Sequence, residues 1–211
     1  MKQKLILIGA GGHSKSCIDV IESTELYEIL GILDLPHLVG KSVCGYSVIG
    51  TDDDIPKYAQ KGVLFFISIG QIVHATLRLQ LYNKVLEADG SFATICAKTA
   101  HVSRYARIGE NTIIMHNAVV NADVTIGNSC IINTFANIEH EVTIGNFCHV
   151  STGAMINGGS NVGDFSFIGS QSVIAQAVTI PTHTIIGAGA VVLQTITSQG
   201  VYVGNPAKKI R

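Results

Sequence analysis

Residues 120–150 read VNADVT-IGNSCI-INTFAN-IEHEVT-IGNFCH-V, and each block in this notation begins with Val or Ile. The same series of Val or Ile at every sixth position continues without a break from Val102 to Val192. A period of six matches neither an α-helix nor simple strand alternation, and it is typical of a parallel β-helix built from hexapeptides. The sequence therefore predicts short strands that each point one aliphatic side chain into a shared core.

The length of one coil of this β-helix determines which residues lie next to each other in space. Three hexapeptides make one triangular coil, so residues eighteen apart are expected to stack at about 4.8 Å, the ordinary distance between strands. A stacked core also needs covered ends, and we expect the caps to be the preceding domain and the segment Gly200–Arg211. Glycine follows the inward residue where we expect a turn to need backbone freedom; these positions are Gly109, Gly127, Gly145, Gly163, Gly169 and Gly187.

Composition narrows the function classes. The 211 residues carry a net charge of −1, no Trp and 6% aromatic residues, which favours neither a nucleic-acid nor an anionic-membrane partner. The chain has no run of about twenty apolar residues, and Met1 leads directly into a strand-like segment, so we expect no signal peptide and no membrane span. Five cysteines without a CxxC pair favour reduced thiols in the cytoplasm.

The first part of the chain alternates strand-like and helix-like patterns. Apolar runs over 4–8, 29–33 and 63–69 are separated by segments with helical spacing, which predicts a small parallel α/β domain. We place this Rossmann-like domain over residues 1–96 and the β-helix with its C-terminal cap over residues 97–211.

A glycine-rich turn, Gly9–Lys15, follows the first strand of this domain. Backbone N–H groups at the start of a helix suit a phosphate, and Asp34 ends the second strand, where an acid can reach a ribose or a base. Because Ser14 stands at the third glycine position of the dinucleotide fingerprint, the turn favours a nucleotide-linked substrate over NAD. The alternative is a tight strand–helix turn with a solvated Asp34.

Residues 133–141 interrupt the regular repeat with Asn133, His140 and two carboxylates. Gly158 lies eighteen positions after His140 and is expected beside it on the next coil, where its N–H could serve as an oxyanion donor. Glu141 adjoins the imidazole and could fix its tautomer. Zinc binding by His140 and His149 is an alternative that lacks a third ligand, while His101, His116 and His183 are interpreted as surface residues.

The hexapeptides over 106–192 resemble the left-handed β-helix of hexapeptide-repeat acyltransferases. The ending over 203–210, VGNPAKKI, is similar to the tail of these enzymes, and the opening over 8–15, IGAGGHSK, resembles one subgroup. That subgroup contains sialic acid O-acetyltransferases and nucleotide 4-aminosugar N-acetyltransferases of bacterial glycan synthesis.

This resemblance implies an activity and a set of residue roles. It implies acetyl transfer from acetyl-CoA, with no metal, in a homotrimer whose active sites lie between protomers. By the same resemblance His140 is the general base and Glu141 its partner, while Asn133 lies on the substrate side. The expected contacts of the nucleotide are Gly11, His13 and Asp34, and those of acetyl-CoA are His149, Gly158, Gly169, Gly187 and Lys208 or Lys209.

Three functions remain open from the sequence. We favour N-acetylation of a nucleotide-linked 4-amino-6-deoxysugar, because the glycine-rich domain suits a nucleotide-bearing acceptor. The alternatives are an O-acetyltransferase acting on a sialic-acid-like sugar, and a non-catalytic β-helix scaffold or nucleotide-binding module.

Overall fold

The computed structural model describes residues 2–211, which divide into two compact units. One unit runs to Gly70 and resumes over Thr76–Lys98; the other contains Gln71–Ala75 and Thr99–Arg211. The short segment Gln71–Ala75 therefore packs as part of the second unit, although the residues on both sides of it pack in the first.

The first unit is built on a sheet with strand order β3-β4-β2-β1-β5-β6. Strand β1 pairs in parallel with β2 and β5, and only the β3–β4 pair in this described sheet is antiparallel. The strands are β1 Gln3–Ile8, β2 Tyr27–Leu33, β3 Ser42–Val43, β4 Tyr46–Gly50, β5 Leu64–Ile67, β6 Ser91–Phe92 and β7 Ile95–Cys96, and the helices are α1 Gly12–Thr24, α2 Ile55–Ala59 and α3 Thr76–Glu87, with 3-10 turns at Pro36–Leu38 and Asp52–Asp54. The α/β alternation predicted for this part of the chain is confirmed.

The apolar run of β1 explains its central place in the sheet. Leu5, Ile6, Leu7 and Ile8 are all buried, as expected for a parallel strand that is covered on both faces. Helix α1 follows after a three-residue turn and begins at Gly12, so its N-terminus lies at the carboxyl end of β1.

The second unit is a parallel β-helix of two-residue strands. Each strand pairs with the one three strands later, and Ile138 lies opposite Ile156, so the coil of eighteen residues is confirmed. The strands are β8 His101–Val102, β9 Arg107–Ile108, β10 Ile113–Ile114, β11 Val119–Val120, β12 Thr125–Ile126, β13 Ile131–Ile132, β14 Asn137–Ile138, β15 Thr143–Ile144, β16 His149–Val150, β17 Met155–Ile156, β18 Asn161–Val162, β19 Phe167–Ile168, β20 Val173–Ile174, β21 Thr179–Ile180, β22 Ile185–Ile186 and β23 Val191–Val192.

These strands form a prism whose faces follow the chain order. The first face contains β8, β11, β14, β17, β20 and β23; the second contains β9, β12, β15, β18 and β21; the third contains β10, β13, β16, β19 and β22. From Ile114 to Val192 every residue of the aliphatic series is buried, which gives one continuous core. The last strands, β24 Val201–Val203 and β25 Lys208–Lys209, extend the third face, and Tyr202 and Ala207 pack against the core.

The glycines after the inward residues serve a different purpose from the one expected. Their φ values are not positive; a Cβ built on Gly127, for example, would lie 2.8 Å from the Gly145 carbonyl carbon of the next coil. The prediction of a need for backbone freedom was wrong at these positions, because the requirement is close stacking. Left-handed backbone occurs two residues later in most turns, at Asn111, Asn117, Asp123, Ser129, Phe135, Glu141, Phe147, Gly153, Gly159, Phe165, Gln171, Ala177, His183 and Gly189.

All five cysteines lie within residues 2–211, and none of them forms a disulfide bond there. Cys130 and Cys148 stack in the core, where their thiols donate hydrogen bonds to the carbonyl oxygens of Gly145 and Gly163 at 3.0 and 3.2 Å. Over residues 2–211 no helix combines the length and the apolar character needed to cross a bilayer.

Candidate active site

The turn from the first to the second face carries the pair predicted for acid–base chemistry. His140 Nδ1 lies 3.1 Å from Glu141 Oε2. Because an ionised carboxylate only accepts hydrogen bonds, this contact favours the neutral tautomer with the proton on Nδ1 and the lone pair on Nε2. Both side chains are exposed, by 58% and 68%, so this base is open to a substrate. Glu141 is the left-handed residue of its turn, with φ 61°.

Gly158 lies beside the imidazole, as the eighteen-residue spacing predicts. A Cβ built on Gly158 would lie 2.6 Å from His140 Cε1 and 2.7 Å from His140 Nε2, so the ring occupies the space that a side chain would need. Among residues 2–211 the Gly158 N–H has no hydrogen-bond partner, whereas the Gly158 carbonyl accepts from the Ala177 N–H. A free donor therefore lies on the turn that adjoins the base.

A second group of polar residues lies on the third face. His149, on strand β16, is 8% exposed and places its Nε2 3.3 Å from Asn133 Nδ2. Its Nδ1 lies 2.6 Å from the carbonyl oxygen of Gln71, and its ring meets Phe167 edge-on at 5.2 Å. These contacts on several sides hold the His149 ring in one orientation.

The two groups occupy opposite sides of one prism. His140 lies on the turn that joins the first and second faces, and in a three-sided coil this turn is opposite the third face, which carries His149. The structure thus brings together His140, Glu141 and Gly158, and separately Asn133 and His149, but a single chain does not join the two groups.

The predicted nucleotide residues surround the start of α1. Gly11 is the N-cap of this helix, and His13 packs against Gly70, where an added Cβ would lie 3.4 Å from His13 Cβ. Asp34 accepts hydrogen bonds from the backbone N–H groups of Ala10 and Leu35. Asp34 is therefore not simply a solvated loop end, because it holds the glycine-rich turn in place.

Ser14, at the third glycine position of the fingerprint, is fully buried. In the part of the chain that the structure describes, its Oγ has no hydrogen-bond partner. A small cavity of about 120 Å³ lies at the carboxyl ends of β1 and β2, and its lining includes Gly9, Asp34 and Leu81.

The remaining predicted contacts lie toward the C-terminal end of the β-helix. Gly169 stacks so closely on Gly187 that a Cβ at Gly169 would lie 2.6 Å from the Gly187 carbonyl carbon. Lys208 is exposed and lines a cavity of about 440 Å³ together with Tyr202 and Pro206. Lys208 pairs with Val203, whose Cγ1 would lie 2.8 Å from a Cβ built on Gly187.

The buried cysteines are less suitable as catalytic groups than the His140–Glu141 pair. A hydrogen bond with Cys130 and burial raise the pKa of the Cys148 thiol well above its usual range, and burial raises the pKa of Cys17 to about 12, so neither is a ready nucleophile. Among the described residues no group of three or more His, Cys, Asp or Glu side chains is arranged to hold a metal ion. His101 and His183 are exposed, while His116 is half-buried and contacts Thr99 Oγ at 2.9 Å.

Sequence reasoning missed two contributors to the His149 group. Gln71, which lies far from His149 in the sequence, contacts His149 Nδ1 through its carbonyl oxygen. The Thr134 N–H donates to Asn133 Oδ1 at 2.8 Å. Thr134 could have been placed near this group from the sequence, because it follows Asn133 directly. No signal in the sequence indicates the position of Gln71.

Comparison with known proteins agrees with this two-part architecture. Residues 4–85 match the family model of the PglD N-terminal domain, and residues 105–140 match that of the bacterial transferase hexapeptide (six repeats). No curated protein sequence matches the chain.

Solved structures resemble the chain over its whole length. The acetyltransferase domain of PglB from Neisseria gonorrhoeae in complex with acetyl coenzyme A is 29% identical, with 100% of both chains covered and a TM-score of 0.92. PerB from Caulobacter crescentus in complex with CoA and GDP-perosamine is 32% identical, with 97% of this chain and 96% of that chain covered and a TM-score of 0.90. The chain therefore belongs to the hexapeptide-repeat sugar acetyltransferases, whose fold is a left-handed β-helix.

Proposed function

We propose that this protein is an acetyl-CoA-dependent N-acetyltransferase that acts on a nucleotide-linked 4-amino-6-deoxysugar in bacterial surface glycan synthesis. The observation that carries the proposal is the His140–Glu141 pair, whose open Nε2 adjoins the Gly158 turn. The solved complexes of PerB with CoA and GDP-perosamine, and of the PglB domain with acetyl coenzyme A, support the substrate classes.

The geometry supports direct acyl transfer. The sugar amine attacks the thioester carbonyl carbon and forms a C–N bond, while His140 Nε2 takes the amine proton. Negative charge that develops on the carbonyl oxygen is met by the Gly158 N–H. The C–S bond then breaks, and the proton held by His140 passes to the CoA sulfur. No covalent enzyme intermediate is needed, which agrees with the buried Cys130 and Cys148.

We propose that the nucleotide binds in the first unit. The backbone N–H groups at the start of α1 would meet phosphate, in line with the expected contacts of Gly11 and His13. Because Asp34 fixes the glycine-rich turn and lines the adjacent cavity, it would both shape this site and face the nucleoside.

We propose that acetyl-CoA lies along the β-helix, between protomers of a homotrimer. His149, Gly158, Gly169, Gly187 and Lys208 are the proposed contacts. The assembly is supported by the opposite positions of His140 and His149, because a second copy of the chain is needed to bring a third face to the His140 turn. Both substrates belong to the cytoplasm, which is therefore the proposed compartment.

The test is acetyl transfer by the purified protein. Acetyl-CoA is combined in turn with UDP-, dTDP-, GDP- and CMP-linked amino sugars, and free CoA and the acetylated product are separated by chromatography and identified by mass spectrometry. One nucleotide class is expected to give an N-acetylated product. An O-acetylated product, or no CoA release with any acceptor, contradicts the proposal.

The role of His140 is tested with a matched pair of variants. His140→Ala is expected to lower kcat by about 10²–10⁴-fold, the usual contribution of a general base. His101→Ala removes an exposed histidine from strand β8 and is expected to retain wild-type activity. Full activity in His140→Ala overturns the base assignment.

A further inference from the structure

We infer that Gln71 is a positioning residue for His149. Its main-chain carbonyl holds the imidazole in the neutral tautomer that has its proton on Nδ1, so that Nε2 is the nitrogen presented to the acyl donor. This inference rests on the proposed function, because His149 is a proposed contact of acetyl-CoA. Three sets of contacts carry it.

The first contact fixes the proton at Nδ1. His149 Nδ1 lies 2.6 Å from the main-chain carbonyl oxygen of Gln71. A carbonyl oxygen can only accept a hydrogen bond, so the ring nitrogen must donate. The proton of a neutral His149 is therefore held at Nδ1, and Nε2 is left with a lone pair.

An independent contact gives the same tautomer from the other side of the ring. The Thr134 N–H donates to Asn133 Oδ1 at 2.8 Å, which fixes the orientation of the Asn133 amide. Asn133 Nδ2 then faces His149 Nε2 at 3.3 Å as a donor. Because two donors would repel each other, Nε2 must be the acceptor.

The Gln71 side chain holds its own carbonyl in position. Gln71 Nε2 donates to the carbonyl oxygen of Phe147 at 2.7 Å, and Gln71 is only 4% exposed. Phe147 is itself buried and stacks on Phe165 with ring centroids 5.4 Å apart. The segment Gln71–Ala75 is thus anchored on the turn that leads directly into strand β16, which carries His149.

This arrangement has a consequence for the reaction. In the resting protein the single N–H of neutral His149 is held by the Gln71 carbonyl and Nε2 accepts from the Asn133 amide, so His149 has no N–H to donate to a thioester oxygen. A donor group of the ligand is accepted at Nε2 in exchange for the Asn133 amide. If the Gln71 anchor is lost, the Nδ1 side of the ring is no longer held, and the tautomer depends on the weaker 3.3 Å contact with Asn133 alone. The expected effect falls on acetyl-CoA binding, because the base His140 lies on the opposite turn of the prism.

The tautomer is tested first in the wild-type protein without substrate. With ¹⁵N-labelled histidine rings, long-range ¹H–¹⁵N NMR is expected to show a protonated Nδ1 and an unprotonated Nε2 for His149, assigned by the loss of its signals in His149→Gln. A protonated Nε2 overturns the inference. This measurement needs no activity, so its outcome is separate from that of the proposed function.

The positioning role is tested with Gln71→Ala and with Gln71→Glu, which keeps the length of the side chain but removes the donor to Phe147. Both are expected to raise KM for acetyl-CoA about tenfold, with kcat and the KM of the sugar nucleotide changed less than about threefold. Gln60→Ala, at an exposed position, is the matched control and is expected to behave as wild type.

A double variant separates positioning from a general structural effect. If Gln71 acts through His149, Gln71→Ala combined with His149→Ala is expected to have the same KM for acetyl-CoA as His149→Ala alone. Additive effects in the double variant, or a wild-type KM in both Gln71 variants, overturn the inference. Should Gln71→Ala fail to fold, Gln71→Glu and the wild-type NMR measurement still decide it.

Discussion

His140 and His149 lie nine residues apart in the same repeat, yet their surroundings differ in every respect that matters for chemistry. The His140 side chain is 58% exposed and depends on one exposed carboxylate, whereas His149 is 8% exposed and is held by a main-chain carbonyl, an amide and an aromatic edge. In both, the contact at Nδ1 favours the neutral tautomer with its proton on that nitrogen. The difference is at Nε2, which is open in His140 and already accepts a hydrogen bond in His149.

This comparison shows how one fold can provide two kinds of histidine. A turn between faces projects its side chains into solvent, so His140 is free to meet a substrate and to exchange a proton. A strand position on a face is covered by neighbouring coils and by the segment Gln71–Ala75, so His149 is suited to orienting a ligand. The position within the six-residue repeat, more than the residue type, determines which role is available.

Among the tests that compare the two histidines, the largest effect is expected from a change beside the open one. In Gly158→Ala the new Cβ would occupy the space of the His140 ring, and kcat is expected to fall about 10²-fold, as for a catalytic group displaced by about 1 Å. This kcat is measured as the rate of acetyl transfer to the preferred sugar nucleotide, after the rate of acetyl-CoA hydrolysis has been subtracted. The fold should survive, because Ala122 occupies the equivalent position two coils earlier. Wild-type kcat in this variant would mean that the His140 ring does not need its place beside Gly158.

A second test compares the two histidines by stability. His149→Ala leaves the Gln71 carbonyl and the Asn133 amide without this partner in a buried setting and is expected to lower the free energy of unfolding by about 1–3 kcal/mol. His140→Ala removes an exposed side chain and is expected to change it by less than about 0.5 kcal/mol. Urea unfolding of both variants measures the difference. Equal losses would remove the distinction between an open and an enclosed histidine.

The sequence predicts the β-helix almost completely, because its core requires one aliphatic residue per hexapeptide and the series from Val102 to Val192 has no exception. The same spacing predicts that Gly158 lies beside His140, since residues eighteen apart stack. What the spacing could not supply was the reason for the glycines after the inward residues. That reason is contact with the backbone of the next coil, which depends on three-dimensional stacking.

The His149 group was only half predictable for a physical reason. Asn133 and His149 both lie in the repeat, and their positions on neighbouring coils follow from counting. Gln71 reaches His149 from a segment that is 78 positions away in sequence and has no periodic pattern. Its contribution is a main-chain carbonyl, which every residue possesses, so no residue type could indicate it.

The smallest expected effect concerns Glu141, the exposed partner of the open histidine. Glu141→Gln keeps the shape of the side chain but removes the charge that holds the His140 proton at Nδ1, and kcat is expected to fall about tenfold. The loss should be far smaller than for a buried triad acid, because a carboxylate that is 68% exposed is screened by solvent. The matched control is Glu139→Gln, which also removes one negative charge, two residues before Glu141. The Glu139 carboxylate contacts Asn121 and Asn137 and not His140. Steady-state kinetics with both variants decides the point: an equal fall in both would show a general effect of charge, and no fall in Glu141→Gln would show that His140 keeps its tautomer without a carboxylate.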